Sequence, residues 1–250
     1  MDRLDSLRES IVSIEQPSYI QALVGWGLVW TIMVSIPPGH TVQRNVVVMN
    51  MWHGVIAASL ATVTILTGCD STFSTATSVS FFFVDALVMM DNGRRERRLG
   101  EKTDSQGRWM DYAHHVIGAV YGTYLLYSQG SVCQQSCPAP NLYMYAQTNE
   151  ISTPLYGWYR ITRHRVAGAL FALVFFLSRI VFNFAYLVPY SFYHCTFRGF
   201  MVIAAPYQLL QVMWMFRIVK KVTARLREEK RAAVAGKAQP LTNGTRKKRE

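Results

Sequence analysis

Apolar residues along this chain come in runs of about twenty, separated by short charged or Gly/Pro-rich breaks. A helix needs about 20 mostly apolar residues to cross the hydrocarbon of a bilayer, so run length alone predicts spanning helices. Seven runs can be read: residues 19–36 (ended by Pro37, Pro38 and Gly39), 46–67, 72–90, 112–127, 141–158, 166–190 and 200–219. The third is rich in Ser and Thr in its first half, and a charged loop is expected over 91–108. Asn149, Glu150 and Pro154 interrupt the fifth run. A broken or partly re-entrant helix is expected there, which a bilayer tolerates only where protein covers it. The pattern predicts an all-α, polytopic transmembrane bundle of about seven helices in one domain. After the last run a helix is expected to about Ala235, then a disordered basic tail.

Composition supports this reading. The chain is 50% hydrophobic and only 16% charged, against about 25% charged in soluble domains. The net charge of +11 would suit a nucleic-acid partner if it formed one surface. Most basic residues instead flank the apolar runs, so no nucleic acid is expected and the charge is read as an orientation code. Alternating the loops across seven spans puts 22 of the 26 Lys and Arg on one side and three on the other. That predicts a lumenal or extracellular N-terminus and a cytosolic C-terminus. No cleavable signal peptide is expected, because the residues before Tyr19 are acidic on balance. Cys69, Cys133, Cys137 and Cys195 all fall in loops on the non-cytosolic side, where disulfides persist. Cys133 and Cys137 share a loop, so a local bridge is plausible; other pairings, and free thiols, stay open. No metal site is read from them, since only His194 supplies a nearby imidazole.

Several ionisable residues sit inside apolar runs, where they are costly and therefore paired or functional. His114 and His115 stand near the start of the fourth run, with Asp111 one helical turn earlier. At 1.5 Å per residue the pair lies roughly one turn inside the cytosolic surface, and His53 roughly 10 Å inside it. Asp85 is near the cytosolic end of the third run, and Glu150 is near mid-bilayer in the fifth. Four spans thus bring ionisable groups to one half of the membrane, as a polar cavity open to the cytosol would require. Plainer readings stand beside this one. The histidine pair and His53 are also what interfacial residues look like, and Asp85 also fits a structural acceptor. Glu150 also fits a register-fixing ion pair with Arg179 of the sixth run.

Four segments together resemble the TLC-domain family, which contains ceramide synthases, translocon-associated membrane proteins and lipid-homeostasis proteins. They are Arg44-Asn45-Val46 through Met51-Trp52-His53-Gly54, Phe81-Phe82-Phe83-Val84-Asp85, the His114-His115 pair, and Asn149-Glu150-Ile151-Ser152-Thr153-Pro154. The resemblance covers about residues 46–225. It divides the chain into a lumenal arm (1–18), a first helix and loop (19–45), a TLC domain (46–225) and a basic cytosolic tail (226–250). It implies a multi-pass protein of the endoplasmic reticulum membrane in lipid metabolism or homeostasis. In ceramide synthases the paired histidines serve acyl transfer from acyl-CoA, and by resemblance His114 and His115 become candidate catalytic residues. His53, Asp85, Asp111 and Glu150 become candidate substrate-binding or orienting residues. No tightly bound cofactor is implied; acyl-CoA would be a cosubstrate drawn to basic loops. The chain departs from the synthases in one respect: residues 116–148 contain no His, Asp or Glu and so lack their second His-Asp motif.

Lys247 and Lys248 resemble a dilysine retrieval signal, read by a coat protein on the cytosolic side; an ordinary basic tail near anionic lipid has the same composition. Asn243-Gly244-Thr245 matches a glycosylation sequon but is expected to be unused there. Membrane lipids are the expected partners. A homodimer is compatible with a chain of this size, though no residue marks an interface. Three functions stay in view: an acyltransferase-like enzyme, a non-catalytic lipid-binding regulator of membrane composition, and a trafficking or translocation adaptor.

Overall fold

The computed structural model of the chain describes residues 18–35, 42–68, 70–99, 105–127 and 142–237. They form an all-α structure whose helical segments follow the seven apolar runs. The elements are α1 (Tyr19–Ser35), α2 (Val42–Thr67), α3 (Thr72–Leu99) and α4 (Ser105–Tyr127). The fifth run is α5 (Leu142–Gln147), a 3₁₀ turn (Thr148–Ser152) and α6 (Thr153–Thr162). The sixth is α7 (Arg165–Phe175), two π-helical turns (Phe176–Val181 and Asn183–Leu187) and α8 (Val188–His194). The seventh is α9 (Phe197–Gly199), a third π turn (Phe200–Ala204) and α10 (Ala205–Lys237). Four stretches are long and apolar enough to cross a membrane: Arg44–Thr67, Thr72–Arg94, Arg165–His194 and Phe197–Glu228. This is a membrane protein. α1 is apolar but shorter, at 17 residues.

The charged stretch expected as a loop over 91–108 is largely helical, since α3 runs on to Leu99 and α4 begins at Ser105. Extending an established helix costs little per residue, and Arg, Glu and Leu are good helix formers. Cys195 is disulfide-bonded. The expected local bridge between Cys133 and Cys137, and the Lys247-Lys248 signal, lie outside the described residues.

The chain divides into two compact units, residues 1–211 and 212–250. In the second, α10 continues to Lys237 with Lys220, Lys221, Arg225 and Arg227 exposed. In the first, α1 packs on α3 and α3 on α4, while α2 packs on α5, the 3₁₀ turn and α6. The Ser/Thr-rich half of α3 is buried, with Ser74, Thr75, Thr77, Ser78 and Ser80 all inside. Small residues let membrane helices approach closely. The hydroxyls of Thr77 and Ser80 donate to carbonyls of their own helix. Trp30 of α1 is fully buried against this face, and its indole N–H donates to the Thr77 carbonyl at 3.2 Å.

Prolines account for several irregular turns. Pro154 has no N–H to give the Glu150 carbonyl four residues back. The chain tightens into the 3₁₀ turn, and the Thr153 N–H donates to that carbonyl instead. The turn lies directly against α2, because a Cβ on Gly54 would sit 2.7 Å from the Pro154 ring and 2.8 Å from the Glu150 carbonyl. Gly157 also faces α2, but a Cβ there would press mainly on the flexible Met51 side chain, with Val47 Cγ1 at 3.4 Å. Gly54→Ala is therefore expected to destabilise the protein by about 1–3 kcal/mol, the usual effect of overpacking, and Gly157→Ala by less. Thermal unfolding in detergent should rank the two variants in that order; equal melting would contradict the close approach at Gly54.

Candidate functional site

The residues 142–152 turn, α2, α3 and α4 bring five of the six ionisable candidates together: His53, Asp85, His114, His115 and Glu150. All but His114 are at most 7% exposed. The Phe82 ring lies among the imidazoles, with centroids 5.6 Å from His53, 5.2 Å from His114 and 5.3 Å from His115. Asp111 is the exception. Its side chain is exposed, and it reaches the site through its backbone carbonyl.

The two adjacent histidines are chemically unlike. His115 Nδ1 faces the Asp111 carbonyl at 2.5 Å, and its Nε2 faces Asp85 Oδ2 at 2.9 Å. A carbonyl only accepts, so Nδ1 carries a proton. A carboxylate opposite Nε2 then requires a second proton between the two. The His115–Asp85 pair therefore shares one proton, and His115 keeps no spare lone pair. That arrangement suits a support better than a base.

His114 is set differently. Its Nε2 lies 3.8 Å from Glu150 Oε1, beyond hydrogen-bond range but close enough for strong Coulomb coupling in an apolar interior. Glu150 is itself anchored. Oε1 accepts from Arg179 Nη2 at 3.0 Å, and Oε2 accepts from the Thr153 hydroxyl at 2.7 Å. Arg179, only 4% exposed within its π turn, also donates to Ser152 Oγ at 3.0 Å and to Gln211 Oε1 at 3.2 Å. A carboxylate held by a guanidinium and a hydroxyl is an electrostatic support for a positive charge on His114, and a poor nucleophile. The Glu150–Arg179 pair is thus present, and it stands beside a histidine.

His53 completes the group. Its ring stacks on Phe81 at 3.6 Å with the planes 5° apart, and its Nε2 is 3.2 Å from Ser78 Oγ. His53 Nδ1 is buried with no hydrogen-bond partner among the described residues.

A cavity of about 50 Å³ opens from this cluster. Ser78, His114, Gln147 and Glu150 line it, together with apolar residues that include Gly118, Leu125, Leu187 and Ile203. His114, Gly118, Tyr121 and Leu125 all line it from α4. Their spacing of four, three and four residues keeps them on one helix face, over roughly 16 Å at 1.5 Å per residue. The cavity is therefore polar at the His114 end and apolar beyond. Its opposite wall, Ile203, Ala204 and Tyr207, belongs to the third π turn and the start of α10. Pro206 has no N–H to offer the Val202 carbonyl four residues back. The Tyr121 hydroxyl, from α4, donates to that carbonyl. Behind the cluster Asn149 Nδ2 donates to Asn183 Oδ1 at 2.8 Å and to the Tyr207 hydroxyl at 2.9 Å.

Residue patterning alone did not assign Ser78, Tyr121, Asn183, Tyr207 or Gln211 to the site. Asn183 and Gln211 carried a usable signal, as amides inside apolar runs. Tyr121 and Ser78 carried none, because tyrosine and serine are ordinary in membrane helices. The chain matches no protein-family model, no curated protein and no solved structure.

Proposed function

We propose that this chain is a multi-pass protein of lipid metabolism, related to the TLC-domain family, that carries out acyl transfer at His114. The observation that carries the reading is the inequivalence of the paired histidines. One is committed to Asp85; the other stands at the polar head of an apolar cavity beside an anchored carboxylate. A neutral imidazole at that place can take the proton of an amine or hydroxyl as its nitrogen or oxygen attacks a thioester carbonyl. As the tetrahedral intermediate collapses, the carbon–sulfur bond breaks and the imidazolium returns its proton to the leaving thiolate. Glu150, held by Arg179, stabilises the transient imidazolium. Asp85 and His115 hold the neighbouring turn of α4 in place.

The resemblance supports acyl-CoA as cosubstrate and the endoplasmic reticulum membrane as location, with the N-terminus lumenal and the C-terminus cytosolic. Exposed Arg160, Arg163 and Arg165 at the end of α6 and start of α7 suit the CoA phosphates. A second reading, a non-catalytic lipid-binding regulator, is favoured by one observation. A cavity of about 50 Å³ holds a few waters but no long chain.

Comparative lipidomics tests whether the site acts at all, and turnover of the altered lipid by purified wild type then separates the enzyme from the regulator. Cells expressing wild type or His114→Ala at matched levels should show one lipid class altered by the wild type alone. Equal shifts from both proteins would remove His114 from the function.

A further inference from the structure

Tyr121 lines the cavity, yet its hydroxyl reaches across to the Val202 carbonyl. The residues around both partners face outward: Val120, Tyr124, Met201 and Val202 are 54%, 45%, 49% and 53% exposed. α4 packs on α3 and α5, whereas the third π turn packs on α8 and α9. Tyr121 therefore spans a seam between two walls of the cavity that are each supported from elsewhere. Pro206 offers no N–H to the Val202 carbonyl four residues back, so the Tyr121 hydroxyl donates where one α-helical donor is missing. A carbonyl facing hydrocarbon gains from every donor it has, which favours the bonded position of Tyr121. The cavity, at about 50 Å³, is also too small for a hydrocarbon chain with a polar end.

We propose that Tyr121 is a lateral gate. When it leaves the Val202 carbonyl, the cavity joins the bilayer between α4 and the third π turn, and a single hydrocarbon chain slides in sideways with its polar end toward His114. The gate rests on the reading that a lipid chain is the cavity's ligand, and it adds the route and the residue that controls it. Gly118 helps to set the width, since a Cβ there would sit 2.2 Å from the Phe82 ring.

The probe is a long-chain fatty acid bearing a diazirine and an alkyne, offered in phosphatidylcholine vesicles that contain the full chain. After brief illumination, labelled peptides are located by mass spectrometry. In wild type, label should accumulate in the peptides carrying Ile117–Leu125 and Ile203–Tyr207. Tyr121→Phe keeps the ring and removes the bond, and should raise the rate of labelling several-fold without changing its position. A Tyr121→Cys/Val202→Cys pair stapled with a short, reducible bis-thiosulfonate should slow labelling at least tenfold, and reductant should restore it. Melting temperatures of all variants show that each is folded. Cavity labelling at the wild-type rate in the stapled protein overturns the gate and leaves the lipid-chain reading standing. Label confined to outward residues such as Val116 and Tyr124 in every variant overturns both.

Discussion

His114→Ala is expected to lower turnover of the affected lipid about 10²- to 10⁴-fold, the usual contribution of a positioned base, with little change in melting temperature. His114 Nε2 lies 3.8 Å from Glu150, and Glu150 keeps its bonds from Arg179 and Thr153 when the imidazole is removed. His115→Ala should behave in the opposite way. It strands Asp85, which is 4% exposed and has its other oxygen without a partner among the described residues. Breaking a buried pair from one side costs about 3–5 kcal/mol, so this variant should lose folded protein first. The double variant Asp85→Asn/His115→Gln keeps a hydrogen-bonding pair and removes the charge. It should recover most of the folded protein and a substantial part of the turnover, whereas His114→Ala should not be rescued by any change at Asp85. The measurements are detergent-solubilised melting temperature and lipid turnover per folded molecule. If the double variant is folded yet as inactive as His114→Ala, the division of roles between the two histidines is wrong.

Arg179→Met should have the largest effect on stability. It removes the partner of Glu150 Oε1 and the donors to Ser152 and Gln211 in one step. The uncompensated carboxylate of Glu150 costs about 3–5 kcal/mol by the same asymmetry, and several polar atoms lose partners where no water replaces them. Glu150→Gln added to Arg179→Met takes the stranded charge away and should return a large share of the lost stability. Turnover should stay low, because the support for a positive His114 is gone. Melting curves of the two single variants and the double give the coupling directly. Additive effects would mean that the ion pair is not the unit it looks like.

Much of this arrangement was legible in the chain, for a physical reason. Water and hydrocarbon sort residues so strongly that run length alone marked the spans, and burial of charge is so costly that His53, Asp85, His114, His115, Glu150 and Arg179 stood out inside apolar runs. The Pro154 break in the fifth run was legible because a missing N–H acts locally; the structure answers it with a 3₁₀ turn that aims Glu150 at Arg179. Asp111 shares a helix face with His114 and His115 but meets His115 through its backbone carbonyl, since a shared face does not say which carboxylate a neighbouring helix brings in. Asp85, thirty residues away from His115, holds that place.

What the sequence by itself determined is the class of the protein: an all-α membrane chain with a small set of ionisable residues that cannot be idle in lipid. These follow from transfer free energies and helix geometry, which depend on each residue and its near neighbours. What only the tertiary structure decided is the division of labour among those residues. Which histidine is tied to a carboxylate, that Glu150 meets Arg179, and that the Tyr121 hydroxyl reaches the Val202 carbonyl are all contacts between helices. They depend on rotation and approach of whole helices, set by small residues on α3 and close contacts at Gly54 and Gly118. No local pattern carries that information.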